Sequence, residues 1–187
     1  MHPSASEELV RAVAEASLDR LGVCNRLNLA LVDVRAVAML PVLLEVFAAR
    51  GLTVRGTARA AAHADVVPHD GRLGHEWASD PDNVASVTID VVDGLDEAAT
   101  LANDETSGLA AAIVAHDEDA AREFLEAYRG AAAFWNATTR FADGFELTQS
   151  AETGINVDWV PGPRGPVTYR DLYLRQYRVV GDGTQRR

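Results

Sequence analysis

Lysine is absent from this 187-residue chain; all 17 basic side chains are arginine. That removes lysine from every catalytic role. Cysteine occurs once, as Cys24, so no internal disulfide can form. A lone thiol in such a chain is either a small buried apolar residue or a reactive nucleophile. There is no run of apolar residues long enough to span a membrane, and no basic region followed by an apolar run at the N-terminus. With a single cysteine, these features predict a protein of the reducing cytoplasm. A concentrated basic face is also missing. The formal charge is -11, which argues against nucleic acid as a partner, because phosphate backbones need clustered arginine or lysine. The C-terminal arginines 164, 170, 175, 178, 186 and 187 are spread along a strand and tail and read as a solvated face. Glycine-rich phosphate loops are missing as well, since Gly181-Asp182-Gly183 lies isolated in the tail.

What the chain does have is apolar substance, at 48% hydrophobic residues, enough for one domain with a substantial core. Ser4 or Ser6 followed by Glu7 and Glu8 predicts a helix start, and apolar residues recur at helical spacing from Leu9 to Leu21, where Gly22 stops them. Leu29 to Val34 reads as a buried strand. Val37 to Arg50 reads as a helix with a kink or a broken first turn at Pro41. A short strand over Leu52 to Arg55 and a short helix over Thr57 to His63 follow. Residues 64–84 form a loop-rich excursion. Then come a strand over Val84–Val92, a helix over Leu95–Asn103, a strand over Leu109–Ala115, a helix over Asp117–Tyr128 and a strand over Ala131–Asn136. This alternation predicts a three-layer α/β/α domain with a mainly parallel sheet, over residues 1–156. Residues 157–187, with two apolar runs around Pro161 to Pro166, read as an extended C-terminal arm or an antiparallel pair.

Several blocks carry a resemblance. Gly22-Val23-Cys24-Asn25, Val91-Val92-Asp93-Gly94-Leu95-Asp96-Glu97-Ala98, Asn136-Ala137-Thr138-Thr139-Arg140-Phe141-Ala142-Asp143-Gly144, Ala151-Glu152-Thr153-Gly154-Ile155 and Arg164-Gly165-Pro166 are similar, in order and approximate spacing, to glutamate-5-semialdehyde dehydrogenases. These are also called γ-glutamyl phosphate reductases, of the aldehyde dehydrogenase superfamily. The resemblance covers only that family's C-terminal part, its catalytic domain and oligomerisation arm. It implies that Cys24 is a nucleophile forming a thioester from an acyl phosphate or aldehyde, with its own backbone N–H as half of an oxyanion hole and Asn25 beside it. It implies a substrate end of the pocket built from Asn136, Thr138, Thr139, Arg140 and Glu152, in which Arg140 grips a carboxylate or phosphate in bidentate fashion. It implies a homodimer through the arm. The family's NADP(H) domain has no counterpart here, so no cofactor-binding residue is assigned, and NADP(H) enters only if another domain or chain supplies its site.

Each of these residues has a plainer reading: Arg140 bridging loop to Asp143, Glu152 a loop acid, Asn136 a strand-end cap. No metal is expected; His63, Asp65 and His69 form the one loose cluster. Trp77, Trp135 and Trp159 read as packing residues. The chain departs from the family at Asp80-Pro81-Asp82-Asn83, where a glutamate is usual, and at Phe145 to Ser150, where a glycine-rich run leaves space. It departs again at Asn28-Leu29 and at Asn156 to Trp159. Two classes of function follow. One is the cysteine half of a reductase. The other is a redox-dead relative acting as a cofactor-independent thiol acyltransferase or hydrolase, or as a non-catalytic scaffold for a partner protein.

Overall fold

A computed structural model describes residues 1–142, 145, 149–150, 152–154, 167–168, 176 and 178. In chain order the elements are α1 (Glu7–Ala16), β1 (Leu29–Asp33), α2 (Leu40–Ala49), β2 (Thr53–Gly56), α3 (Ala58–Ala61), β3 (Val67–Pro68), β4 (Ser86–Val92), α4 (Leu95–Glu105), β5 (Ala110–Ile113), α5 (Glu118–Ala127), β6 (Ala132–Trp135), β7 (Glu152–Gly154) and β8 (Val167–Thr168). Three 3₁₀ turns add to these, at Val34–Met39, Trp77–Ser79 and Thr139–Ala142.

β4 is the centre. Its Val, Ile and Thr residues suit a strand covered on both faces, and all seven of its residues are buried. β1 and β2 flank it in parallel, and β3 extends the sheet beyond β2, giving the order β1-β4-β2-β3. β5 and β6 form a second parallel pair, and β7 pairs with β8 antiparallel. The mainly parallel α/β class expected from the alternation is what the chain adopts, with its parallel strands divided between two sheets. α1 and α2 pack together over the first sheet, where Leu18, Val32, Leu40, Val46, Phe47, Val87 and Ile89 form the main core. α4 and α5 close a second core around Ile113, Phe124 and Tyr128. Glu152 lies on β7; most of residues 157–187, and with them the expected arm, lie outside the described residues.

One local expectation is corrected and two are made specific. α1 starts as predicted, with the Ser6 hydroxyl accepting from Leu9 N–H at 3.3 Å, but it ends at Ala16 and not at Leu21. The Ser17 carbonyl accepts from Leu27 N–H at 2.9 Å, which turns the chain out of the helix. At Pro41 the broken first turn is the alternative that holds. The proline lies in the first turn of α2, where no N–H is required, and a 3₁₀ turn carries the residues before it. The excursion 64–84 is pinned to the sheet by Trp77, which is buried and donates from Nε1 to Thr88 Oγ1 at 2.9 Å. His69 and His75 meet its ring edge-on, and the Arg55 guanidinium lies 4.9 Å from its centroid. Trp77 is thus a packing residue, as read.

Candidate functional site around Cys24

The segment from Ser17 to Asn28 joins α1 to β1 without regular structure. Its tightest bend is a turn in which Arg26 N–H donates to the Val23 carbonyl at 3.3 Å, placing Cys24 and Asn25 at the two corner positions. Both ends of the loop are tied. Leu27 holds Ser17, and Arg50 Nη1 donates to the Leu18 carbonyl at 3.0 Å. Cys24 is half-buried.

Asn25 is buried and is the hinge of the arrangement. Its Nδ2 donates to the Arg140 carbonyl at 3.1 Å, its carbonyl accepts from Thr139 Oγ1 at 2.7 Å, and its Oδ1 accepts from Arg140 Nη1. Arg140 also donates from Nε to Asp19 at 2.7 Å. Thr138 Oγ1 accepts from Ser17 Oγ at 3.0 Å and from Arg140 N–H at 3.1 Å. The sequence blocks around Cys24 and Thr138–Arg140, 115 residues apart at the Asn25–Arg140 contact, therefore meet directly. They meet as a brace: Arg140 spends its guanidinium on Asn25 and Asp19, holding the turn that carries Cys24.

Asn136 stands elsewhere, at the end of β6. Its backbone has φ of 52°, in the left-handed region that asparagine tolerates. Its side chain closes on one residue, Oδ1 accepting from Ala115 N–H at 2.9 Å and Nδ2 donating to the Ala115 carbonyl at 2.8 Å. That is a strand-end cap. Phe145 is 55% exposed. Asp80, at the first departure from the family pattern, builds its own turn by accepting from Asn83 Nδ2 and Asp82 N–H, and the Asn83 bond holds its carboxyl below the ordinary range.

Arg26 is the residue sequence reasoning missed. It is buried, and it donates from Nη2 to the Ser86 carbonyl at 2.6 Å and from Nε to Asn28 Oδ1 at 3.2 Å. Nη1 has no partner among the described residues, and burial pushes the guanidinium down to about 10. A buried cation two positions after the cysteine, with no ion pair among the described residues, is an electropositive feature of this loop. A single arginine in an apolar stretch leaves no periodic signal, so only its nearness to Cys24 could have drawn notice.

A cavity of about 200 Å³ adjoins the loop, and Cys24, Asn25, Arg26 and Thr139 line it. Thr138, Arg140, Asn136 and Phe145 are not among its lining residues. Among the described residues, no group of three or more metal-ligating side chains is gathered, and no helix is long and apolar enough to cross a membrane. The strand-to-helix turns carry at most one glycine each. Among the described residues, none of these turns is the glycine-rich loop that cradles a pyrophosphate in Rossmann folds.

No family model matches the chain. Curated relatives do. The γ-glutamyl phosphate reductases of Gluconobacter oxydans and Acidiphilium cryptum are each 36% identical over the whole chain, which spans 43% and 44% of their lengths. That of Synechococcus elongatus is 31% identical over 96% of the chain. The solved γ-glutamyl phosphate reductase of Thermotoga maritima superposes with a TM-score of 0.83 at 29% identity, over 98% of this chain and 44% of that one. The yeast enzyme shares the fold, with a TM-score of 0.54 at 21% identity. The chain spans less than half the length of each of these proteins. By sequence and by fold it is a relative of the γ-glutamyl phosphate reductases, alike over its whole length to under half of theirs.

Proposed function

We propose that the chain supplies the acyl-accepting half of a γ-glutamyl phosphate reductase-type reaction, with Cys24 as the nucleophile. The observation that carries this reading is the brace. Asn25, Thr138, Thr139 and Arg140 combine to fix the turn on which Cys24 sits at a cavity wall. In the reaction, the Cys24 sulfur attacks the carbonyl carbon of an acyl phosphate. The carbon–oxygen bond to phosphate breaks, phosphate leaves with the electron pair and the thiol proton, and a thioester remains on Cys24. Arg26, buried at the cavity wall beside Cys24, adds a positive charge that favours an anionic substrate and a thiolate. The homodimer through residues 157–187 belongs to the same reading. In this reading a nicotinamide cofactor is held by another domain or chain.

The test uses acetyl phosphate as the probe. Stoichiometric phosphate release with an acetyl mass increment on Cys24, lost in Cys24→Ser with the fold unchanged by circular dichroism, is the expected result. A chain that stays unmodified at millimolar acetyl phosphate removes the thiol from the mechanism. The competing reading is a scaffold without covalent chemistry. It is favoured by the commitment of the Arg140 guanidinium to Asp19 and Asn25, which leaves that group holding the protein's own side chains.

A further inference from the structure

Among the described residues, Asp33 and Glu76 are the carboxylates in the wall that Cys24 shares, and they stand in opposite conditions. Asp33 is committed. It accepts from Arg35 Nε at 2.9 Å, from Arg35 Nη2 at 2.7 Å and from Arg35 N–H at 2.8 Å. It also closes β1 at the end away from the Cys24 loop, four strand steps or roughly 13 Å beyond Leu29. Glu76 is half-buried, and among the described residues its carboxylate meets no hydrogen-bond donor and no cation. It borders the same space as the Cys24 thiol and the buried Arg26, whose Nη1 also lacks a partner among the described residues.

The excursion holds Glu76 in place from both sides. Two residues before it, Gly74 is pressed onto the end of α4. A Cβ there would stand 2.2 Å from the Glu105 carbonyl oxygen, so only glycine allows the approach. Arg72 fastens the same place, donating to the Glu105 and Thr106 carbonyls at 2.8 and 3.2 Å. One residue after Glu76, Trp77 is buried and bonded to Thr88 of β4. Ala78 N–H then donates to Asn28 Oδ1 at 3.4 Å, and that oxygen also accepts from Arg26 Nε at 3.2 Å. Asn28 thus ties the backbone two residues beyond Glu76 to the arginine two residues beyond Cys24. Thiol, guanidinium and carboxylate are brought to the start of β1, the end opposite to Met1. The other charged groups of these elements are engaged elsewhere: His75 with Asp80, and Asp19 with Arg140.

We propose that Glu76 is the general base of a second half-reaction, in which water hydrolyses the acyl group carried by Cys24. This step rests on the thioester reading above. A carboxylate acts on the thioester through one intervening water, so it does not have to touch the sulfur. The water oxygen attacks the carbonyl carbon while one of its protons passes to the Glu76 carboxylate. The carbon–sulfur bond then breaks, and the sulfur leaves with the electron pair as a thiolate, which the Arg26 charge favours. A carboxylic acid departs. Glu76 returns its proton to the sulfur, and the chain is as it began. The balance of the two half-reactions is acyl phosphate and water in, carboxylic acid and phosphate out, with no oxidant or reductant. Fixing the backbone on both sides of Glu76 places the base before the substrate arrives.

The experiment follows acetyl phosphate over time in the full chain, reading phosphate, acetate and the intact mass of the protein. The unaltered chain should release a first equivalent of phosphate and then continue, with acetate appearing in step. In Glu76→Gln the acetyl adduct on Cys24 should accumulate, with a lifetime about a hundredfold longer. Glu76→Asp, which keeps the carboxylate on a shorter arm, should fall between the two. The continuing phase should rise with pH as a carboxylate ionises, and Glu76→Gln should lose that inflection, which a change in packing alone would not remove. Equal adduct lifetimes in the unaltered chain and Glu76→Gln overturn the proposal and leave the thioester reading standing. So does an unaltered chain that stops at one equivalent with its adduct intact. A chain that forms no adduct and releases no phosphate, with or without the substitution, overturns both.

Discussion

Removing the Arg140 side chain measures how much of the Cys24 loop depends on the brace. Arg140→Ala deletes the charged donor to Asn25 Oδ1 and the pair with Asp19. The first loss is the larger, because Asn25 is buried and cannot turn to water for a replacement. A hydrogen bond to a charged group at such a site contributes about 1.5–3 kcal/mol. The Asp19 side chain is 56% exposed, so that pair adds at most about 1 kcal/mol. The Asn25 Nδ2 bond to the backbone carbonyl of residue 140 survives the substitution. The expected net loss is about 2–3 kcal/mol by urea denaturation, or a Tm lower by roughly 5–10 °C. The same loosening should speed the reaction of Cys24 with a disulfide reagent, because the turn that half-buries it is no longer held. Arg140→Lys should recover only part of the stability, since an ammonium lacks the planar fork that serves Asn25 and Asp19 together. A loss below about 0.5 kcal/mol with an unchanged thiol rate would refute the brace.

The amino group of Met1 is pushed by burial from 8.0 down to about 6. Between those values the unfolded chain takes up a proton that the folded chain does not, so stability should rise from pH 6 to pH 8 by about 2 kcal/mol. Urea titrations at the two pH values check this; a flat profile or the opposite slope contradicts it. Arg59→Met strands the Asp90 carboxylate, whose side chain is 1% exposed. It should cost about 3 kcal/mol, against under about 1 kcal/mol for Glu97→Gln at the more exposed end of the same arginine; equal losses would show that burial is not what sets the cost. Asn136→Ala removes both bonds to Ala115 and should lower stability by about 2 kcal/mol, with Asn136→Asp, which keeps the acceptor, falling between the two in a thermal melt.

The parts of the fold with a period were legible in the sequence. β4 shows itself by its β-branched residues, which only Asp90 interrupts between Val87 and Val92, and α1 by its Ser6 cap and apolar spacing. α1 was read five residues too long because Leu18 and Leu21 keep the helical period, while the bond that ends the helix joins Ser17 to Leu27 and has no local signature. Pro41 announced a kink or a broken first turn, and the 3₁₀ segment before Leu40 decides for the second. At the site, residue types were recognisable and their partners were not. Arg140 in a pocket and Arg140 on Asn25 are the same letter, and the choice is made by a contact 115 residues away.

The order β1-β4-β2 places the two earliest long strands on opposite sides of a strand that is made later. β1 and β2 share no ladder of their own, so neither can close a hydrogen-bonded edge until Ser86–Val92 exists. On a ribosome adding about 5–20 residues per second, the 36 residues from Gly56 to Val92 take roughly 2–7 seconds. For that interval the β1 and β2 segments wait with bare edges, and a holdase that shields extended chain has its natural window there.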